Sequence, residues 1–185
     1  MIEQKLPTGL FQTFFVSKEI SNCPLIVDMM KLGRTIDDLG IADDGFCTMS
    51  LGYGKRLLIT AKNVDVRELK PQDIIEIVDY DPLKRTMLVI GAKDPALQTP
   101  VHWIIQKARK EAMAVLEITS PSILERTPFM LPMTKQQTPI GTLERAKDVL
   151  SLLRESKYLR IQNEGMLLTG LNMSEIEQFL VNTFK

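Results

Sequence analysis

Pro95-Ala-Leu-Gln-Thr-Pro-Val-His102, Ala114-Val-Leu-Glu-Ile-Thr-Ser-Pro121 and Gln162-Asn-Glu-Gly165 are the stretches whose reading decides the fold. In the first, Thr99-Pro100 marks a helix start, because a threonine hydroxyl can cap and proline has no N–H to lose in the opening turn. The spacing predicts a helix with Val101, Ile104, Ile105 and Ala108 on its inner face. In the second, Met113–Ile118 is a short apolar run that reads as a strand, ended by Ser120-Pro121. Side chains alternate along a strand, so Glu117 and Thr119 share one face. The third is the polar connection between two short predicted strands, Tyr158–Gln162 and Met166–Thr169, and it carries Glu164.

Outward from these stretches the chain alternates between helical and extended patterns. A helix is predicted from about Pro24, with Leu25, Met29, Leu32, Ile36 and Leu39 as its buried stripe and Gly40 as its stop. Lys55–Thr60, Ile74–Tyr80 and Met87–Ile90 read as strands. Asp81-Pro-Leu-Lys84 joins the last two as a hairpin turn, and Gly52-Tyr-Gly54 reads as another turn. A helix over about Thr142–Glu155 buries Leu143, Ala146, Leu150 and Leu153. The last helix begins near Asn172, with Glu175 as capping-box partner and Ile176, Phe179 and Leu180 inside. Residues 1–21 form a lead-in with Phe11, Phe14, Phe15 and Val16 close together, suited to a strand or an interface arm. The 185-residue chain reads as one domain: six to eight strands in a central mixed sheet, covered on both faces by helices.

Composition narrows the function classes. Lysine plus arginine number 23 and aspartate plus glutamate 23, a zero balance that gives no electrostatic reason to expect nucleic acid or an anionic membrane as partner. No apolar run reaches the roughly 18–20 residues of a membrane span. The two cysteines, Cys23 and Cys47, match no metal spacing and read as packed thiols of a reduced, cytoplasmic protein. The N-terminal residues lack the basic start and apolar core of a signal peptide. His102 is the single histidine, so histidine-based metal sites and Ser-His or Cys-His catalysis have little to build on. It is expected to be structural. Trp103 suits either a core or an interface, and Lys107, Arg109, Lys110 and Glu111 a solvated helix end.

The ordered landmarks Leu58-Ile-Thr60, Asp65-Val-Arg-Glu-Leu-Lys-Pro-Gln-Asp73, Thr99-Pro-Val-His102, Thr119-Ser-Pro121, Pro139-Ile-Gly141 and Gly165 to Gly170 resemble the class II aldolase/adducin family, in its fuculose-phosphate aldolase-like group. The resemblance spans about residues 45 to 180. It implies a three-layer α/β/α fold with a mixed, largely antiparallel sheet. In that family a catalytic zinc is held by an H-x-H pair at a strand end and a third histidine. Here those positions are Glu117, Thr119 and Glu164, an all-oxygen set without an imidazole. The catalytic glutamate position is Gln98, which cannot accept a proton. The phosphate-binding serines correspond to Ala96 and Leu97, the early G-N-x-S motif to Gly45-Phe-Cys-Thr48, and the T-P-S-G loop to Thr60-Ala-Lys-Asn63, with Lys62 added.

These replacements lead to the expectation of a non-catalytic or chemically repurposed aldolase-like protein. It would bind a small sugar- or phosphate-type ligand, or act as a scaffold, with Thr48, Thr60, Lys62 and Thr119 as ligand-binding candidates. Zinc is not expected, and no cofactor is assigned. A hard metal such as magnesium or manganese suits oxygen ligands better. The alternative is a lyase or isomerase in which Glu117 and Glu164, facing one pocket with Gln98, work as acid and base, with or without such a metal. Against both stands a plainer reading, in which each glutamate pairs with a neighbouring arginine or lysine. The resemblance also implies a homo-oligomer, with a tetramer among the options.

Overall fold

The computed structural model describes residues 11–42 and 46–185. Residues 1–10 of the lead-in, and Gly45, lie outside them. Eight strands form one sheet in the order β1-β5-β4-β3-β2-β6-β8-β7. They are β1 (Gln12–Ser17), β2 (Cys47–Tyr53), β3 (Arg56–Thr60), β4 (Ile74–Asp81), β5 (Thr86–Ile90), β6 (Ala114–Thr119), β7 (Tyr158–Ile161) and β8 (Gly165–Gly170). Only β1 pairs in parallel, with β5; every other pairing is antiparallel. The sheet is therefore mixed and largely antiparallel, as the sequence predicts. The lead-in supplies an edge strand, on which Phe14 and Val16 stay exposed.

Alternation along the strands sorts two cores onto the two faces. Helices α1 (Ile26–Asp38) and α5 (Met173–Phe184), with the one-turn α3 (Ile123–Arg126), cover one face. There Met29, Leu32, Ile36, Ile176 and Leu180 meet Met49, Leu58, Leu116 and Leu168. Helices α2 (Thr99–Ala108) and α4 (Leu143–Leu152) cover the other, where Val101, Ile105, Ala146 and Val149 meet Val115, Leu159 and Leu167. Trp103 is buried against Leu57, Ile59, Ile75 and Ile77, which settles it as core, with the Lys107 ammonium 4.2 Å above its ring.

Local chemistry sets most element ends. Gly40, just past α1, has φ +55°, the left-handed conformation that glycine accepts freely. Thr142 caps α4 by accepting from the Arg145 N–H, and Asn172 caps α5 by accepting from the Glu175 N–H. Glu175 returns its carboxylate to the Leu171 N–H rather than to Asn172, one residue off the predicted box. In the β4–β5 turn, Asp81 accepts from the Leu83 and Lys84 N–H groups.

Several expectations need correction. Cys47–Tyr53 is a strand, and Gly52 lies inside it, so the turn is only Gly54-Lys55. Helix α1 starts at Ile26, which takes the inner place expected of Leu25. Ala108 is exposed at the end of α2. Leu143 is 46% exposed, while Arg145 and Val149 point inward on α4. No helix among the described residues is long and apolar enough to cross a membrane.

Gly165 ties the second half of the sheet to the polar centre beside it. It opens β8 opposite Thr119, with φ +155°. A β-carbon there would stand 1.9 Å from the Ile118 carbonyl oxygen, a backbone atom that cannot swing aside. Gly165→Ala should therefore destabilise the fold by about 1–3 kcal/mol. Chemical denaturation would check this; an unchanged midpoint would mean that the β7–β8 turn yields.

Candidate functional site

Strands β2, β6 and β8 run side by side and bring the candidate residues to one end of the sheet, beneath α2 and α4. On β2, Thr48 and Ser50 face the α2–α4 side, because Met49 and Leu51 belong to the opposite core. On β6, Val115 belongs to the α2–α4 core, and alternation puts Glu117 and Thr119 on that face as well. Thr48 pairs directly with Glu117. His102, from the first turns of α2, is fully buried, and its Nδ1 lies 2.8 Å from the Ser50 hydroxyl.

Arg145 organises this centre. It is 1% exposed, a burial that a guanidinium tolerates only when surrounded by acceptors. Its Nη2 donates to both oxygens of Glu164, at 2.7 and 2.9 Å. Its Nη1 lies 3.6 Å from Oε1 of Glu117, and His102 Nε2 lies 3.6 Å from the other oxygen of the same carboxylate. Nε donates to the Thr138 hydroxyl at 2.9 Å, and Nη2 also donates to the Thr138 carbonyl. One cation thus joins β6, the β7–β8 turn and the loop before α4. Nη1 of Arg145, Nε2 of His102 and Oγ1 of Thr119 are buried without a hydrogen-bond partner, so Glu117 is balanced by charge more than by directed bonds.

Two hollows open beside this centre and meet at Thr119. The first, about 180 Å³, is lined by Thr48, Lys62, Asn63, Ala96, Leu97, Gln98 and Thr119, with Phe46 at its side. Lys62 is exposed, and among the described residues it pairs with no carboxylate. The second, about 500 Å³, is lined by Thr119, Gln137, Thr138, Pro139, Ile140 and Glu164. Of the sequence-predicted residues, Thr48, Lys62, Gln98 and Thr119 therefore share one hollow, while Thr119 and Glu164 share the other. Glu117, 2% exposed, lines neither, because α4 drops Arg145 over it. Thr60 also lines neither: it is fully buried and its hydroxyl accepts from the Met49 N–H.

The residues present do not fit a zinc ion. Zinc takes imidazole and thiolate before oxygen, and Glu117, Thr119 and Glu164 offer two carboxylates and a hydroxyl. The Arg145 guanidinium already occupies both carboxylates. Among the described residues no three His, Cys, Asp or Glu side chains converge at metal spacing.

Arg145 was the residue that sequence reasoning missed. The stripe counted on α4 held apolar positions only. Yet Arg145, Ala146, Val149 and Leu153 repeat at helical spacing, and an arginine within that stripe is a signal of a buried charge in search of acceptors.

With this geometry in hand, the comparisons with known proteins can be placed. The model of the class II aldolase and adducin N-terminal domain matches residues 27–124. This chain belongs to that family. Among solved structures, an L-fuculose 1-phosphate aldolase superposes with a TM-score of 0.71 at 16% identity, over 88% of this chain and 82% of that one. The L-fuculose-1-phosphate aldolase of Thermus thermophilus gives 0.65 at 18% identity, over 86% and 85%. The N-terminal class II aldolase domain of a conserved protein from Thermoplasma acidophilum gives 0.65 at 13%, over 91% and 93%. At such identities these likenesses concern the fold. A search of curated proteins finds no match to this sequence.

Replacing Arg145 leaves two carboxylates uncompensated, so Arg145→Met should lower stability by about 3–5 kcal/mol. Removing the carboxylates as well, in Arg145→Met/Glu117→Leu/Glu164→Gln, should recover more than half of that loss. Urea unfolding of both variants gives the comparison. Equal losses would mean that Arg145 acts by packing alone.

Proposed function

We propose that this member of the aldolase/adducin family is a binding protein rather than a zinc aldolase, and that it takes a small sugar- or phosphate-type ligand in the hollow at Lys62. The observation that carries this reading is the engagement of both glutamates by Arg145. A carboxylate engaged by a buried guanidinium is not free to meet a substrate, because pulling it away would strand the cation. With Gln98 at the wall there is no free base on that side either. What remains in the first hollow is an ammonium that pairs with no carboxylate among the described residues, two threonine hydroxyls and the amides of Asn63 and Gln98. That set suits an anionic group joined to hydroxyls.

The lyase or isomerase alternative draws support from one feature: Glu164 reaches the second hollow beside Thr119. It loses support from Glu117, which the same guanidinium holds out of both hollows. Oligomerisation belongs to the same proposal. The exposed apolar strip on β1 and Leu88 of β5 is compatible with a homo-oligomer whose surface carries the hollows.

The test is thermal melting against inorganic phosphate and a set of sugar phosphates, alongside an assay for their cleavage or isomerisation. A ligand at a hundred times its Kd adds about 2.7 kcal/mol to stability, which raises the melting temperature by several degrees. Lys62→Met should abolish that rise without changing the melting temperature of the free protein. Turnover that disappears in Glu164→Gln would instead establish the enzymatic alternative.

A further inference from the structure

We infer that the β1 edge of the sheet is an interface with a second copy of this chain, made by antiparallel pairing of the two β1 strands about a two-fold axis at Phe14. The inference rests on the oligomer reading above and says which surface carries it. The two ends of the sheet are finished differently. At the β7 end the loop before α4 covers the edge: Arg160 donates its N–H to the Pro132 carbonyl and accepts from the Thr134 N–H. At the β1 end no strand among the described residues follows.

Register fixes what the open edge offers. Strand β1 runs parallel to β5, with Gln12 opposite Thr86 and Phe14 opposite Leu88. The Gln12 N–H donates to the Arg85 carbonyl, so Gln12 turns its backbone groups toward β5, and Phe14 repeats this two residues on. Thr13 and Phe15 therefore aim N–H and C=O away from the sheet. The register shift after Phe15 turns Ser17 back inward, where its carbonyl accepts from the Gly91 N–H. The free edge is thus a short, defined piece: two outward residues with Phe14 between them. A second copy turned about Phe14 presents the same piece in reverse. Thr13 then exchanges both bonds with Phe15 of the second copy, and Phe14 faces its own counterpart in a close, non-hydrogen-bonded pair.

The side chains suit the same pairing. Met87 and Val89 belong to the core with Trp103, so Leu88 and its register partner Phe14 point to the opposite face. There Phe14, Val16 and Leu88 are exposed. Pairing about Phe14 sets Leu88, Phe14 and their two counterparts in one apolar row across the junction. On the other face the Lys18 ammonium stands 5.5 Å from the Phe15 ring. From Phe11 to Ser17 the strand holds neither a charged residue nor a proline. A solitary edge is ordinarily blunted by lysine or proline within the strand. An edge that meets its own copy has to lack charge at its centre, because the two-fold axis would set like charges side by side.

Sedimentation equilibrium on the full chain reads the mass, and cysteine crosslinking reads the register. The wild type should be a dimer or a multiple of one. Phe14→Lys, at an exposed position, should keep the wild-type circular dichroism and raise the dissociation constant of this contact about a hundred-fold, since two rings lose their burial. Phe14→Glu should do the same, and an equimolar mixture of the two variants should reassociate as mixed pairs. Under mild oxidation Phe14→Cys should link two copies, because non-hydrogen-bonded partners bring their α-carbons to about 4.5 Å, within disulfide reach. Phe15→Cys should not, since Phe15 lies opposite Thr13; the native Cys23 and Cys47 are buried and do not compete. A monomeric wild type overturns both this inference and the oligomer reading. An oligomer whose mass is unmoved by Phe14→Lys, or one that crosslinks at Phe15→Cys and not at Phe14→Cys, overturns this inference and leaves that reading standing.

Discussion

A guanidinium placed in a protein interior dictates its surroundings, because it carries five donors and a charge that cannot be shed. In this chain Arg145 satisfies that demand with Glu164, with Thr138 and, through charge alone, with Glu117. The same set of contacts positions the loop before α4, closes the β7–β8 turn and seals the end of β6. Backbone bonds from Pro132 and Thr134 to Arg160 tie the same loop to β7. What the sheet supplies is a rigid row of side-chain positions; what Arg145 supplies is the positive charge beside the two acids that those positions carry.

The sheet fixes where the polar centre sits and leaves its composition open. The strand ends are set by the antiparallel ladders β2–β6 and β6–β8, which depend on the backbone and not on the side chains they present. Side chains at 117, 119 and 164 can therefore be exchanged without moving their α-carbons, provided that the charge sum stays tolerable. Two glutamates alone would not meet that condition, and the arginine on α4 does. The two glutamates and the arginine form one interdependent set.

Much of this was legible in the residues. The strand at 114–119, the Asp81 turn and Asn172 each carry a local signal that tertiary packing did not override; Pro100 marks the start of α2, but Thr99 lies inside its first turn and donates to the Ala96 carbonyl instead of capping it. The resemblance in the order of landmarks pointed to the three-layer fold, and the family match and superpositions agree with it. The strand Cys47–Tyr53 escaped because its two glycines suggested a turn, although Thr48, Ser50 and their neighbours alternate as a two-faced strand should. The polar centre was legible in part. Glu117, Thr119 and Glu164 were expected together, and the plainer reading of each glutamate as an ion-pair partner matches the geometry. The identity of the partner was hidden because an arginine in an amphipathic helix is ordinarily assigned to water. Only the packing of α4 against β6 and the β7–β8 turn reverses that assignment.

Thr119 belongs to the walls of both hollows, so one side chain shapes two spaces. A molecule that turns the Thr119 side chain on entering one hollow reshapes the other at the same moment. By reciprocity, filling the second must then alter affinity in the first by the same factor. Wherever a ligand does move that threonine, each of the two spaces senses the other through it.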